Sequence, residues 1–407
     1  MAFLFRGERF PSRPTVFPDA DPEGPPVFRV AGDFWRPERF RTEILSRTAR
    51  LTLTAAAEAL ADAGLDRDVL RNRRVGVCIG TNAAGAVSDA ALAECVLAAD
   101  YSRDSTSATR RSRDSDSVDA TRRSRISGDA GAYRTPARRY AAGSPALALV
   151  REYELAGPLE TIVTACSAGS DAIGVAAAWI RMGFCDLAIA GGADELYEIT
   201  YFGFASLMNT DPGPCKPFDA DRNGLTLGEG AGMVVLESAE SLRARGKSAR
   251  GAIRGYGNAG DAFHLTSPEP DGRGLRLSIS EAMGAAGAGP GDLAFINAHG
   301  TGTRDNDRIE AMLFADLFPG TPFLSTKGYI GHTLGAAGAI EAIFSMGCLE
   351  RGSVPPSAGF ARPDPELPAS PVDRIAEVRG NIALSQTLAF GGNNAVLLVS
   401  AGTEVPE

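Results

Sequence analysis

Histidine and lysine are nearly absent from this 407-residue sequence: there are three of each, His264, His299 and His332, and Lys216, Lys247 and Lys327. Arginine supplies the other 38 basic residues, a bias that reflects codon supply more than chemistry. No apolar run approaches the roughly 18 residues of a membrane-crossing helix. The start, Met1 to Phe10, carries Arg6 and Arg9, which leaves no room for a secretory hydrophobic region. None of the six cysteines forms a C-x-x-C pair, and no Cys/His group has metal-ligand spacing, so a zinc site is not expected. No G-x-G-x-x-G follows a strand, and Gly246-Lys247-Ser248 has Ser241 where a phosphate-binding loop needs its first glycine. A net charge of −9 gives nothing that would draw nucleic acid. What remains is a cytoplasmic enzyme with an ordinary soluble composition, 44% hydrophobic and 22% charged.

The rare residues are not scattered. His299 lies in Asn297-Ala298-His299-Gly300-Thr301-Gly302-Thr303, and His332 ends Lys327-Gly328-Tyr329-Ile330-Gly331-His332. Cys166 stands in Thr164-Ala165-Cys166-Ser167-Ala168-Gly169, where an apolar run meets a small-residue helix. The other cysteines, Cys78, Cys95, Cys185, Cys215 and Cys348, read as small buried hydrophobes.

Residues 1–27, rich in proline and arginine, read as an extended arm. Apolar periodicity predicts a helix over Arg41–Ala63, and short strands follow at 74–80, 159–164, 187–192, 232–237, 294–298 and 395–400. Helices are expected over Ser167–Met182 and from about Arg308. Near-continuous apolar strands between helices predict buried, largely parallel sheets. The tract 101–139 breaks this pattern. It repeats Ala-Thr-Arg-Arg-Ser-Arg at 108–113 and 120–125 and holds ten arginines against five aspartates. Such composition cannot bury enough apolar surface to order itself, so an insertion is expected there, either a plain solvated loop or a landing surface for an acidic partner.

A thiol at a helix N-terminus meets unpaired N–H groups and the positive end of the dipole, both of which favour thiolate. Glycines around each histidine permit left-handed backbone, and the threonines offer hydroxyls to a polar ligand. One thiolate and two neutral imidazoles fit a carbon–carbon bond-forming reaction. The thiolate accepts an acyl group from a thioester, and two N–H donors hold the oxygen of a second thioester as it loses carbon dioxide. No metal or redox cofactor is needed for that chemistry.

These residues resemble those of the β-ketoacyl-[acyl-carrier-protein] synthases, nearest to the synthase II type and its polyketide relatives. The resemblance is carried by the Cys166 cassette, Pro217-Phe218-Asp219-Ala220-Asp221-Arg222-Asn223-Gly224, Gly228-Glu229-Gly230-Ala231-Gly232, Asp261-Ala262-Phe263-His264-Leu265-Thr266, both histidine cassettes, and Phe390-Gly391-Gly392-Asn393-Asn394-Ala395. It implies an α/β, thiolase-like fold: two similar βαβαβ-type halves in an α/β/α/β/α stack, spanning 28–250 with Cys166 and 251–407 with His299 and His332. It implies Cys166 as nucleophile, His299 and His332 as decarboxylation partners, Lys327 orienting the His332 region, and Glu310 in the supporting network. The N–H groups of Cys166 and Phe390 would form the oxyanion hole, with Phe390 as gate. Thr301 and Thr303 would touch the phosphopantetheine arm. Thr266 and His264 are further substrate-side candidates, His264 read as a structural or channel residue.

The implied reaction is decarboxylative condensation of an acyl group with malonyl-acyl carrier protein, in polyketide, polyene or specialised fatty-acid assembly. The implied partners are acyl carrier protein and a second subunit, either the same chain or a related ketosynthase or chain-length factor. Two other readings stand beside it: a non-catalytic, chain-length-setting subunit, and a thiolase. Near the C-terminus, Gln386, Leu388, Ala389 and Asn393 replace the family's commoner Asn, Phe, Gly and Thr.

Overall fold

The computed structural model describes residues 2–17, 20–32, 34–38, 45–82 and 144–402. The arginine-rich tract 101–139 lies outside the described residues. A short parallel pair, β1 (Val27–Phe28) with β5 (Leu227–Gly228), sits apart from two larger sheets. The first sheet runs β3-β2-β4-β6, with β2 (Val75–Gly80), β3 (Leu159–Ile162), β4 (Leu187–Asp194) and β6 (Gly230–Glu237). The second runs β7-β13-β12-β8-β9, with β7 (Gly251–Gly260), β8 (Leu293–Asn297), β9 (Phe323–Leu324), β12 (Ile382–Leu388) and β13 (Asn393–Ala401). A two-residue pair, β10 (Ser353–Val354) and β11 (Ala376–Glu377), completes the strands among the described residues.

Side-chain size on alternate strand positions explains the layering. In the first sheet Val75, Val77, Ile79, Leu187 and Ile189 face outward, onto helices Arg47–Asp62 and Pro145–Tyr153. Their neighbours Cys78, Ala188 and Ala190 face inward, where Ala172 and Ala176 of helix Ala168–Arg181 come close. The second sheet repeats the scheme. Ile296, Leu384, Val396 and Leu398 pack on the outer helices Arg273–Ala286 and Arg304–Leu317, while Phe295, Ala383, Leu397 and Val399 face the inner helix Ala337–Arg351. Small residues on the inner face of the first sheet, and Ala383 on that of the second, leave room for the two inner helices between the sheets, giving five layers.

Several expectations need correction. The sheets are mixed rather than largely parallel: β6 runs antiparallel to β4, and β13 is antiparallel to both β12 and β7. The four-residue link 389–392 between β12 and β13 is too short for a parallel crossover. Residues 1–27 are not an extended arm throughout. Ala2–Phe5 is a helical turn, Leu4 is buried against Tyr329 and Ala358, and Phe3 meets Tyr329 and Phe344 edge-on. The apolar run Phe3-Leu4-Phe5 outweighs the nearby prolines. The helix expected from 41 begins, among the described residues, at Arg47, where Ser46 accepts a hydrogen bond from the Ala49 N–H at 3.1 Å. The helix expected from about Arg308 starts four residues earlier, at Arg304, with Asp305 and Asp307 in its first turn suiting the dipole.

At Gly192, on β4, the two halves meet backbone against backbone. A β-carbon there would lie 2.4 Å from the Gly335 carbonyl oxygen and 3.0 Å from the Cα atoms of Gly169 and Ala336. All three are backbone atoms and cannot swing aside. We therefore expect Gly192→Ala to cost about 1–3 kcal/mol, the usual range for overpacking. Gly203→Ala, on helix Glu198–Ser206 with open space around it, should be neutral or slightly stabilising. Thermal melts of the two variants check this; equal melting temperatures would refute the close approach.

Candidate active site

Cys166 is set by the turn that ends β3. Ala165 adopts φ 54°, Ala165–Ser167 form a 3₁₀ turn, and helix Ala168–Arg181 begins directly after. Left-handed backbone at a non-glycine residue is strained and needs support from its surroundings. Asp171, in the first helical turn, supplies it: its Oδ2 accepts from Thr164 Oγ1 at 2.5 Å and lies 2.9 Å from Ser167 Oγ. The Cys166 sulfur is buried, with the Phe390 backbone N–H beside it. The expectation of a resting thiolate is not met. Burial pushes the thiol up to about 12, against the opposing pull of the Lys327 charge and the Phe390 N–H. Cys166 rests as a thiol, with groups in place that stabilise charge as it develops.

The two imidazoles are fixed from behind. Lys327 Nζ lies 3.0 Å from His299 Nδ1, and an ammonium can only donate, so Nδ1 accepts. His332 Nδ1 accepts the Leu334 N–H at 3.2 Å. A neutral ring whose Nδ1 accepts carries its proton on Nε2. Burial, the Lys327 charge and, for His299, the neighbouring His332 hold both rings well below the ordinary histidine value, so both are neutral. The ring centroids are 5.1 Å apart at 85°. The structure thus presents two neutral Nε2–H donors, the pair that the sequence argument requires.

Backbone and buried carboxylates complete the framework. Gly300 and Gly302 take φ values of 43° and 82°, and Gly331 takes 73°, which carries each histidine off its flanking segment. Glu310 accepts the N–H groups of His299 and Gly300, each at 2.6 Å, and the side-chain amides of Asn306 and Gln386, each at 2.7 Å. The His332 backbone is clamped to the β5 segment, its N–H bonding Thr226 O at 2.7 Å and its carbonyl accepting the Gly228 N–H at 2.9 Å. That contact accounts for the Gly228-to-Gly232 motif. The 217–224 motif is held by Asp307, which accepts the Phe218 N–H at 2.7 Å.

A cavity of about 510 Å³ opens over these groups. Cys166, His299, His332, Thr301, Thr303, Thr266 and Phe390 all line it. The Phe390 ring rests 5.2 Å from that of Phe204. Lys327 and Glu310 are buried behind the lining. His264 is exposed and off the cavity, its Nδ1 accepting the Thr266 N–H at 3.1 Å, so it serves the loop and not the lining. Sequence reasoning missed Glu341, which pairs with Lys327, and Asp194, which accepts the Thr81 hydroxyl and the N–H groups of Asn82 and Gly335. An acidic residue amid the apolar stretch Ala337–Cys348, Glu341, was the available signal. Burial pushes both carboxyls up to about 7. No cluster of three or more His, Cys, Asp or Glu able to hold a metal occurs among the described residues. Buried oxygens of Asn297, Ser385, Gln386 and Glu341 lack a hydrogen-bond partner and suit ordered water.

With three histidines in the chain, their ring nitrogens can be resolved by ¹⁵N NMR. His299 and His332 should appear as neutral Nε2–H tautomers from pH 8 down to pH 6, because their lowered values postpone protonation to still lower pH. A protonated or Nδ1–H ring at pH 7 would overturn the arrangement.

Comparison with known proteins agrees with this geometry. Residues 26–241 match the Beta-ketoacyl synthase N-terminal domain and residues 250–361 the Beta-ketoacyl synthase C-terminal domain. The chain is 41% identical to 3-oxoacyl-[acyl-carrier-protein] synthase 2 of Rhizobium meliloti (strain 1021), over 61% of this chain and 62% of that one. It is 34% identical to the tetracenomycin polyketide synthase ketoacyl synthase alpha subunit of Streptomyces glaucescens, over 88% and 82% respectively. The ishigamide ketosynthase/chain length factor structure superposes with a TM-score of 0.83 at 30% identity, covering 98% of this chain and 94% of that one. The fold is that of the thiolase-like ketosynthases, and the chain belongs to the β-ketoacyl synthase family.

Proposed function

We propose that this chain is a ketosynthase that condenses a Cys166-bound acyl group with malonyl-acyl carrier protein. The observation that carries the reading is one cavity holding the Cys166 sulfur under the Phe390 N–H together with two neutral imidazoles whose Nδ1 atoms are already occupied. In the first step the Cys166 sulfur takes the acyl group from a carrier thioester, and the released carrier thiol keeps the proton. The malonyl thioester then loses carbon dioxide, and the electron pair of that bond becomes an enolate. Its oxygen takes hydrogen bonds from the Nε2–H groups of His299 and His332. The enolate carbon attacks the Cys166 thioester, whose oxyanion receives the N–H groups of Phe390 and Cys166. Collapse releases the β-ketoacyl carrier thioester and returns the cysteine sulfur, which regains a proton.

Lys327 is the orienting group in this scheme, though for His299 directly rather than for the His332 region. Thr301 and Thr303, whose hydroxyls lie 2.9 Å apart in the lining, suit the pantetheine arm. Thr266 is offered for the same arm, and His264 is withdrawn from it. The thiolase reading loses support because Cys348, the residue weighed as its second thiol, is buried in the core on helix Ala337–Arg351. The reading as a non-catalytic subunit loses support because Cys166 and both histidines share one cavity. The cytoplasmic setting expected from the sequence stays part of the proposal, as does assembly without a bound cofactor.

A second subunit belongs to the same proposal. β3 is an edge strand among the described residues, with Leu159 43% exposed and Val163, directly after its end, 58% exposed. An apolar open edge calls for a covering partner. The ishigamide structure names a ketosynthase with a chain length factor, so the partner is either a second copy or such a relative.

Intact mass spectrometry with acyl-carrier proteins should show an acyl adduct on Cys166 that disappears when malonyl-carrier protein is added. Cys166→Ala should give no adduct and no condensation; normal condensation by that variant would sink the reading. For the carrier contact, deleting 103–127 should weaken apparent affinity for carrier protein at low salt, because the tract carries the excess arginine. Unchanged affinity would reduce the tract to a spacer.

A further inference from the structure

Asp171 accepts more hydrogen bonds than holding the Cys166 turn requires. Besides Thr164 and Ser167, its Oδ2 accepts the Asn393 side-chain amide at 2.9 Å, and its Oδ1 accepts Tyr256 Oη at 2.8 Å and Asn258 Nδ2 at 2.7 Å. The same Asn393 amide nitrogen donates to Ser167 Oγ at 2.7 Å. A carboxylate oxygen can only accept, so Asn393 must turn its NH₂ toward Asp171, and its orientation is fixed. Asp171 is buried, as is Ser167, which directly follows the nucleophile.

Asn393 also forms the base of the gate. Its carbonyl accepts the Ala389 N–H at 2.8 Å, and the Gly392 N–H closes on Ala389 O at 2.9 Å, making a tight loop that carries Phe390. Backbone and side chain of one residue therefore connect the gate loop to the turn bearing Cys166. The loop is also tied outward, through the Gly391 N–H to Leu265 O at 2.8 Å and the Asp261 N–H to Gly392 O at 2.7 Å. Burial and Asp171 push the Tyr256 phenol up, so Tyr256 stays protonated and donates to Asp171.

We propose that Asn393 is a positioning residue for acyl transfer: through Ser167 and Asp171 it holds the Phe390 loop at the distance where the Phe390 N–H meets first the Cys166 sulfur and then the developing oxyanion. The inference rests on the ketosynthase reading above. It assigns a role to a position where this sequence carries Asn in place of the family's commoner Thr. The longer amide spans Ser167 and Asp171 together, which ties the gate to the nucleophile turn by two hydrogen bonds from one group.

The test is single-turnover acylation, followed by intact mass, with carrier protein bearing acetyl, butyryl or octanoyl groups. Wild type, Asn393→Ala and Asn393→Thr are compared across carrier concentrations, alongside carbon dioxide release from malonyl-carrier protein and melting temperature. Asn393→Ala should lower the maximal acylation rate roughly tenfold, the worth of about one positioned hydrogen bond, with little change in half-saturating concentration. Acylation should fall further than decarboxylation, and Asn393→Thr, whose single hydroxyl hydrogen can serve only one of the two acceptors, should restore part of the rate. The proposal is overturned if Asn393→Ala acylates at the wild-type rate or shifts only half-saturation. It is equally overturned if acylation, decarboxylation and melting temperature fall together with no recovery in Asn393→Thr. A wild-type chain that forms no adduct with any of the three donors removes the ketosynthase reading, and this inference with it.

Discussion

Two backbone turns pressed against each other govern the rest of this molecule. Ala165 and Leu334 both adopt φ 54°, each opens a 3₁₀ turn, and each turn leads into one of the two inner helices. The sequences correspond position by position: Thr164-Ala165-Cys166-Ser167-Ala168-Gly169 against Thr333-Leu334-Gly335-Ala336-Ala337-Gly338. Gly335 stands where the other turn has its cysteine. A β-carbon there would fall 2.7 Å from Asp194 Oδ2 and 2.8 Å from the Asn82 N. The duplicated turn thus has opposite jobs in the two halves. One presents a sulfur, and the other must be small enough to seat against Asp194 and the chain at Thr81 and Asn82, beside the first turn. That approach brings His332, two residues before Leu334, into the cavity of Cys166.

Burial then sets the protonation states. In a low-dielectric interior the neutral form of each isolated group wins, so the thiol stays protonated and the imidazoles stay uncharged. Lys327 and Glu341 are the exception because they pair. The pair costs desolvation, and its return is functional: a charge locked behind His299 that fixes its tautomer and favours negative charge forming on the cavity side. Glu310 works differently. Its four amide donors shape the His299-Gly300 backbone, and it has no cation within ion-pair distance among the described residues. Removal of charge from the imidazoles and addition of charge behind them serve one end, an oxygen-binding site with two neutral donors.

Much of this could be read in the sequence. Cys166, His299 and His332 could be read because rare residue types sat in glycine-bounded cassettes, and local backbone chemistry was enough to interpret them. Thr301, Thr303 and Lys327 followed from the same segments. What escaped depended on distance in space. Glu341 lies fourteen residues beyond Lys327 in an apolar helix, and its meaning appears only when the helix is placed behind His299. Asp171 collects donors from β7 and β13, strands more than eighty residues away. β7 and β12 were missed for compositional reasons: Gly-Ala-Ile-Arg-Gly-Tyr-Gly-Asn-Ala-Gly and Ile-Ala-Leu-Ser-Gln-Thr-Leu lack the apolar continuity that marked their neighbours. The thiolate expectation failed because a helix N-terminus is a local feature, whereas desolvation depends on everything packed around the sulfur.

The residues that depart from the family's commoner pattern occupy one hairpin, and their contacts make a single argument. On β12, Gln386 donates to Glu310, beneath His299, and Leu388 lines the cavity. Ala389 lines it as well, immediately before the gate residue, and Asn393 opens β13 with its amide on Ser167 and Asp171. The hairpin therefore reaches both sides of the cavity, the histidine side through Gln386 and the cysteine side through Asn393, with Phe390 between them. Changing this one element alters support, wall and gate together, while Cys166, His299 and His332 remain in place. On the proposed ketosynthase reading, the chemistry is anchored in the two turns, and changes in the hairpin alter the wall that an acyl group would meet.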